Sequence, residues 1–416
     1  MIDRRRALAA GVSFLAGSGY ACAAPDPRPT DAPGLRRGVN IHHVLNWPQH
    51  QRERPVDYVW PPFADPPHGI GSDTLSALSR AGFSFVRLTL DPAIFMASDG
   101  PRRETLVGVV LSRLHQMLAA GFEVVLDLHP VAENPTYAPA QLTMPGSPAL
   151  AAYLETVTLL AGALKTLPPD RVALELMNEP QPAGADAALR WQQMLERLHA
   201  AARGVAPNLA LVLTGANWSA AQALTAVDIS PFRGGNVLYT FHYYEPHIFT
   251  HQGVANARPE RYFEGLLWPP QQGQLNAMTA QLRQKIMADP AAAANAVGPH
   301  AEKVLADYMS LGDGAAKIRD DFALVGRWAK AKGVPPERIL LGEFGANQSW
   351  PESPAQRRSR IDWLTAIRQA AEAEGFGWAY WALKDGSGSP GGFRLSPAGA
   401  ETGFDADVLH ALFGHA

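Results

Sequence analysis

The 416-residue chain carries 36 Lys+Arg against 39 Asp+Glu, a formal net charge of −3. Apolar residues make up 47% and charged residues 18%, a folded globular composition that excludes extended disorder. The near-balanced charge gives no electrostatic footing for a nucleic-acid partner. The sole cysteine, Cys22, rules out an internal disulfide and a Cys metal cluster.

The chain opens on Arg4-Arg5-Arg6, then the short apolar run 7–17, then Ala21-Cys22-Ala23 as a small-x-small cleavage site. This layout predicts an export signal over 1–24, too short to span a membrane. A periplasmic or secreted protein is the expectation. A lipid anchor at Cys22 is the weaker alternative, because Gly19-Tyr20-Ala21 makes a poor lipoprotein box. Residues 25–35 are Pro-rich and polar and read as a linker, which leaves 36–416 as the folded domain.

From there short apolar runs recur: 37–41, 83–90, 122–128, 172–177, 209–214, 236–242, 338–343 and 376–382. Each is β-branched, Leu-rich or aromatic, as strands buried on both faces are. Helical patterns fill the gaps at 72–81, 104–120, 148–166, 185–204, 303–332 and 355–374, with a last short helix near 405–413. Strands alternating with helices predict an α/β protein, a single-domain (β/α)₈ TIM barrel. A doubly wound open sheet is the runner-up, weakened because no Gly-rich phosphate loop follows the first strand. Two long loops leave strands one and six, 42–71 and 243–337, the latter with an Ala-rich helical piece at 289–297. Both leave the carboxyl ends of strands, where barrel active sites are built.

The sharpest local signal is Met177-Asn178-Glu179-Pro180 at the end of the fourth strand. Its glutamate points into the cleft, Asn178 is placed for a substrate hydroxyl, and Pro180 stops the strand. The second is Leu341-Gly342-Glu343-Phe344-Gly345 at the end of the seventh, whose glycines leave room for a ligand near the backbone. Alone, the first reads equally well as an exposed strand-end carboxylate, and the second more often as a structural one. Together they put two acids across one cleft, as glycosidic hydrolysis requires.

With these motifs on the page, the chain resembles glycoside hydrolase family 5, the cellulase-type retaining barrels, over about residues 36–390. The match is carried by Arg87 in Phe85-Val86-Arg87-Leu88, His129 in Asp127-Leu128-His129, Asn178, Glu179, His242 and Tyr244 in Phe241-His242-Tyr243-Tyr244, Glu343, and Trp381. The resemblance implies that Glu179 is the acid/base and Glu343 the nucleophile, with no cofactor. Physical reasoning assigns supporting roles. Arg87 lowers the pKa of Glu343 and keeps it ionised, and Tyr244 donates a hydrogen bond to it. Glu179 must begin protonated, with a raised pKa. Retention expects the carboxyls roughly 5–5.5 Å apart. His129 and His242 are placed for ligand contact or support.

Alternation puts Trp381 on the same face as Ala379, where it forms a flat platform for a sugar, and leaves Trp378, like Trp363, to the core. Trp47, Trp60, Trp218, Trp268 and Trp350 lie after strand ends or in the long loops. They are candidates for further sugar subsites, packing being the alternative for each. His43 is a further candidate contact, and Asn46, Asn217, Asn347 and Lys384 are possible hydroxyl contacts. His42-His43 and His247/His251 have a loose metal-site look, but no His-Glu-x-x-His is present and no metal is expected.

The leading expectation is an exported, endo-acting, retaining glycosidase, with endo-β-1,4-glucanase first. Mannan, β-1,3-glucan or a bacterial exopolysaccharide would need the same two acids. A non-catalytic carbohydrate-binding accessory protein is the reading from another class, and the intact acid pair argues against it. An esterase is set aside for want of Gly-x-Ser-x-Gly. The partner expected is a poly- or oligosaccharide, with no nucleic acid, no membrane span and a monomeric state.

Overall fold

A computed structural model describes residues 32–414 apart from 66–67, 145, 256–258, 271–273, 291, 293–296, 313, 349–350, 385–391 and 397–401. The predicted export signal, most of the linker, Cys22, Trp350 and part of the Ala-rich piece at 289–297 lie outside the described residues.

Eight parallel strands close into a barrel. They are β1 (Arg37–Leu45), β2 (Phe85–Leu90), β3 (Glu123–Leu128), β4 (Val172–Glu175), β5 (Ala210–Thr214), β6 (Val237–His242), β7 (Ile339–Phe344) and β8 (Gly377–Tyr380). Each pairs with its sequence neighbours, and β8 returns to β1. The predicted (β/α)₈ barrel is therefore the fold. Helices α1 (Ser72–Ala81), α2 (Gly100–Ala119), α3 (Pro148–Leu164) and α4 (Ala187–Val205) follow the early strands. The short α5 (Ala221–Thr225), then α6 (Gly314–Lys332), α7 (Pro354–Ala373) and α8 (Ala406–Phe413) complete the coat. Caps fix several starts. Asp99 accepts from the Arg102 N–H ahead of α2, and Ser353 with Gln356 forms a capping box on α7.

Alternation along each strand builds two cores. Outward residues pack under the helices in one large cluster, with Trp363 and Trp378 fully buried in it. Inward residues Phe85, Val125, Ala173, Ala210, Leu238, Leu340 and Ala379 plug the barrel floor. Above that plug the inward positions turn polar. Register sets Asn40 beside Arg87, Asp127 beside Glu175 and His242 beside Glu343. The ring of Trp378 meets Phe344 and Phe413 at 5.9 and 5.8 Å. Trp378→Ala is expected to cost about 3–5 kcal/mol, measured as a shift of the denaturant midpoint.

Two expectations need correction. The helix predicted over 303–332 is two, Val297–Met309 and α6. Ser310-Leu311-Gly312 ends the first with a tight turn in which the Leu311 N–H donates to the Tyr308 carbonyl. The long segment after β6 is also largely helical, since Leu275–Met287 precedes that pair. The segment after β1 carries a small antiparallel ribbon, His50–Gln51 with Arg54–Tyr58. No helix among the described residues is long and apolar enough to cross a membrane.

Candidate active site

The polar layer is organised by Arg87, which is fully buried on β2. Its Nε and Nη2 each donate to Glu175 at 2.8 Å. Nη1 donates to Asn40 Oδ1 at 2.9 Å and to Glu343 Oε1 at 2.7 Å. Nη2 also donates to Asn178 Oδ1 at 2.8 Å and lies 3.0 Å from Asp127. All five N–H donors of the guanidinium are thus engaged. Asn40 in turn donates to the Gly342 carbonyl at 3.0 Å, which ties the arginine to β7.

A second chain of hydrogen bonds runs from the same guanidinium. Asn178 Nδ2 donates to His129 Nε2 at 3.3 Å, and His129 Nδ1 donates to Asp127 at 2.8 Å. Asn178 therefore spends its oxygen on the network and keeps one N–H for a sugar hydroxyl.

The two predicted acids face each other. One oxygen of Glu179 and one of Glu343 lie within 4.8 Å of each other and of a ring nitrogen of His242. His242 Nδ1 is 2.9 Å from Glu179 Oε1 and 3.5 Å from Glu343 Oε2. Tyr244 donates its hydroxyl to Glu343 Oε2 at 3.0 Å. Burial raises the Tyr244 pKa, and the Glu343 charge raises it further, so the phenol stays a donor. Glu179 sits in the left-handed region, φ 42°, a conformation that costs a non-glycine residue on the order of 1–3 kcal/mol.

Three carboxyls pair with one arginine and Glu179 stands beside them, and burial pushes all four up, Asp127 and Glu179 to about 7. The layer therefore holds protons at neutral pH. The two facing acids differ in what opposes their burial. Glu343 makes a direct ion pair with Arg87, and it accepts the Tyr244 hydroxyl. Glu179 has no arginine contact among the described residues, so the proton belongs there and the anion on the ion-paired Glu343. His242 is pushed down to about 4 by burial, so its ring is neutral. A neutral imidazole accepts from a protonated Glu179 and, in its other tautomer, donates to an ionised one.

Trp381 stacks on His129 at 5.6 Å and 14° and forms one wall. The cleft, about 770 Å³, is lined by His129, Glu179, Trp218, His242, Tyr244, Glu343 and Trp381, with His247, His251 and Glu260 on the β6 side. Trp218 is 57% exposed.

Other sequence candidates lie elsewhere. His43 is buried and not among the described lining, whereas His42 meets the rings of Trp47 and Trp381 at 4.1 and 4.6 Å. Trp47 is half-buried against that histidine. Asn46 is fully buried on His42 and Thr89, and Asn347 braces the Gln252 carbonyl, so neither faces a sugar. Trp268 is 6% exposed and packs in the core. Trp60 lies under the Arg102 guanidinium. The rings of His247 and His251 stack face to face at 3.8 Å, with Nδ1 of His247 on Glu260 and Nδ1 of His251 on Thr250. Glycines 342 and 345 admit protein rather than ligand. A Cβ on Gly342 would lie 2.5 Å from Thr240 Oγ1, and one on Gly345 would run into the Trp381 carbonyl. Asn40, Asp127 and Glu175 are site residues that motif reading passed over.

The family model for cellulase (glycosyl hydrolase family 5) matches residues 64–387. The chain belongs to glycosyl hydrolase family 5. It is 22% identical over 332 residues to Endoglucanase 3 of Fibrobacter succinogenes, covering 75% of this chain and 46% of that protein. The chain thus spans about half the length of that curated relative. The endoglucanase Cel5A of Thermotoga maritima superposes with TM-score 0.66 at 21% identity, covering 91% of this chain and 97% of that one. The cellulose synthase subunit Z of Clostridioides difficile gives 0.64 at 21% identity, covering 91% and 99%. At such identities the superpositions speak for the barrel alone.

Proposed function

We propose that the protein is a retaining, endo-acting β-glycan hydrolase, with an endo-β-1,4-glucanase as the reading of choice. The observation that carries it is the carboxyl pair, with oxygens within 4.8 Å of each other and with Glu343 ion-paired to Arg87. In the first step Glu343 attacks the anomeric carbon while Glu179 gives its proton to the leaving oxygen. A glycosyl–enzyme ester results. Glu179, now ionised, takes a proton from water as that water attacks the same carbon, and Glu343 leaves as carboxylate. A separation this short leaves no room for a water between the acids in the first step, which favours double displacement over inversion. Support for a glucan substrate comes from the family match and the endoglucanase relative. Trp381 and Trp218 offer two aromatic surfaces for a chain of sugars.

The test is reducing-end release from carboxymethylcellulose, mixed-linkage glucan, laminarin, mannan and a bacterial exopolysaccharide, with the anomer of the first product read by NMR. Cellulose-type release with retained β configuration is expected, and an α product would overturn the mechanism. Glu179→Gln is expected to lower kcat by about 10²–10⁴-fold, less on an activated aryl glycoside that needs no acid. Activity should decline as pH rises through about 7, where Glu179 loses its proton. The basic start and apolar run of residues 4–17 support export as part of this proposal. Amino-terminal sequencing of protein recovered outside the cytoplasm, beginning near residue 25, would establish it.

A further inference from the structure

The segment that leaves β6 carries two of the groups that meet the facing acids. His242 lies on Glu179, and Tyr244 donates to Glu343. Tyr243 stands between them with the opposite parity. Its buried ring packs on Phe322 of α6 at 5.2 Å, and its hydroxyl donates to Asp321 Oδ2 at 2.7 Å. Asp321 is also on α6 and is 8% exposed. It accepts from Gln222 Nε2 of α5 at 3.4 Å and from Lys317, one turn earlier, at 2.7 Å. One carboxyl thus ties α5, α6 and the end of β6 together, and two of the residues it holds, Gln222 and Tyr243, line the catalytic cleft.

Stability alone is a poor reason for a carboxyl in that place. A buried ion or polar group is costly unless it is fully paired, and apolar side chains of similar volume often serve packing as well or better. What the charge adds is position, since a hydroxyl on an ionised oxygen is held more firmly than one on a neutral oxygen. The main chain of the segment is already anchored. The Tyr243 N–H donates to the Glu343 carbonyl at 3.0 Å, the Thr250 hydroxyl to the Tyr244 carbonyl at 2.6 Å, and the Trp363 indole to the Glu245 carbonyl at 3.0 Å. These bonds leave open a roll of the segment about its own axis. Successive side chains leave opposite faces, so a roll that moves Tyr243 moves Tyr244 in the opposite sense. Tyr244 has little slack. Its hydroxyl is 3.0 Å from Glu343 Oε2, at the long end for an O–H···O bond, so a small retreat weakens it.

We propose that Asp321 is a positioning residue for the nucleophile: through Tyr243 it fixes the reach of Tyr244 to Glu343. The proposal rests on reading the cleft as a glycan-cleaving site.

The charge on Glu343 reports the outcome. Arg87, His242, Glu179 and His129 also face that carboxyl, and none of them is altered in the variants. The experiment measures kcat and kcat/KM against pH on an aryl β-cellobioside for wild type, Tyr243→Phe and Asp321→Ala, and for Tyr243→Phe in a Tyr244→Phe background, with a melting temperature for each. Tyr243→Phe and Asp321→Ala are expected to lower kcat roughly tenfold, because a small misplacement of a positioned group is costly. Both should move the acid limb to higher pH. The Tyr244 hydroxyl favours the ionised form of Glu343, so a weaker bond raises the pKa of that carboxyl. On top of Tyr244→Phe, the loss of the Tyr243 hydroxyl should cost little more, since the route is already cut. A lower melting temperature with wild-type kcat and an unmoved acid limb in Tyr243→Phe would reduce Asp321 to a brace of α6 and overturn the proposal. An undiminished loss on top of Tyr244→Phe would overturn it as well. Tyr243→Phe deletes a single oxygen, so it decides the matter if Asp321→Ala does not fold. A wild-type protein that cleaves neither the aryl substrate nor cellohexaose would overturn the catalytic reading, and the role of Asp321 with it.

Discussion

Glu343→Gln is expected to lower kcat on the best glycan by about 10⁴–10⁶-fold, the range seen when a covalent nucleophile is removed. The amide has the same shape; its oxygen can still accept from Arg87, while its NH2 takes the place of the oxygen that met Tyr244 and can donate to the phenol oxygen, so the cleft should keep its form. What it lacks is the anion that bonds to carbon. The loss should therefore fall on kcat with aryl glycosides as much as with polymers, unlike Glu179→Gln, whose defect should shrink as the leaving group improves. The same substitution should not cost stability. Burial raises the Glu343 pKa above the unfolded value, so keeping that carboxylate ionised in the folded state costs stability. Stability contributed by that carboxyl is lost as pH rises from the range of an unfolded carboxyl through the folded pKa. Glutamine has no such loss, and the variant should melt at or above the wild-type temperature at pH 8. Melting curves at pH 5 and pH 8 beside single-turnover kinetics would measure both effects. Wild-type kcat in the variant would remove Glu343 as nucleophile.

The barrel was legible because its strands are apolar on both faces and bounded by helix caps and turns. Both acids were legible because each ends a strand inside a short motif. Asp127 and Glu175 were harder to see. Glu175 is a lone acid inside an apolar run, and Asp127 stood in the motif only as the neighbour of His129. Parity would have found them. Val125 and Ala173 are floor-plug residues, so the positions two further on, 127 and 175, must also face inward and lie one layer higher. An acid at such a position needs a cation, and Arg87 is two residues above Phe85 by the same count. Asn40 follows from the same alternation on β1, two residues before His42. The reading of Gly342 and Gly345 as ligand space failed for a different reason. A glycine shows that something approaches the backbone, and only the tertiary structure shows what. Here it is Thr240, His242 and the Trp381 carbonyl. His43 was placed in the cleft for want of a strand length. Once β1 is known to run to Leu45, His42 shares the inward parity of Asn40, and His43 does not.

Arg87→Leu is expected to destabilise the protein by about 3–5 kcal/mol, the cost of leaving buried charge without its partner. The effect should grow with pH, because Asp127, Glu175 and Glu343 then face one another with no cation between them. Some of the cost will be met by protonation, so the variant should be most stable in mild acid and lose stability towards pH 8. Arg87→Lys is the sharper test of geometry. It keeps the charge, and a lysine offers three donors from one nitrogen where the guanidinium offers five from three. A single ammonium cannot hold Glu175 at two points and still reach Asn40, Asn178 and Glu343. With Glu343 less well paired, its pKa rises, and the acid limb of the kcat/KM profile should move to higher pH. A purely structural arginine would lower stability in both variants and leave the limb of the lysine variant where it stands in wild type. A shifted limb in a folded Arg87→Lys protein would show that Arg87 sets the charge on the nucleophile as well as the shape of the barrel mouth.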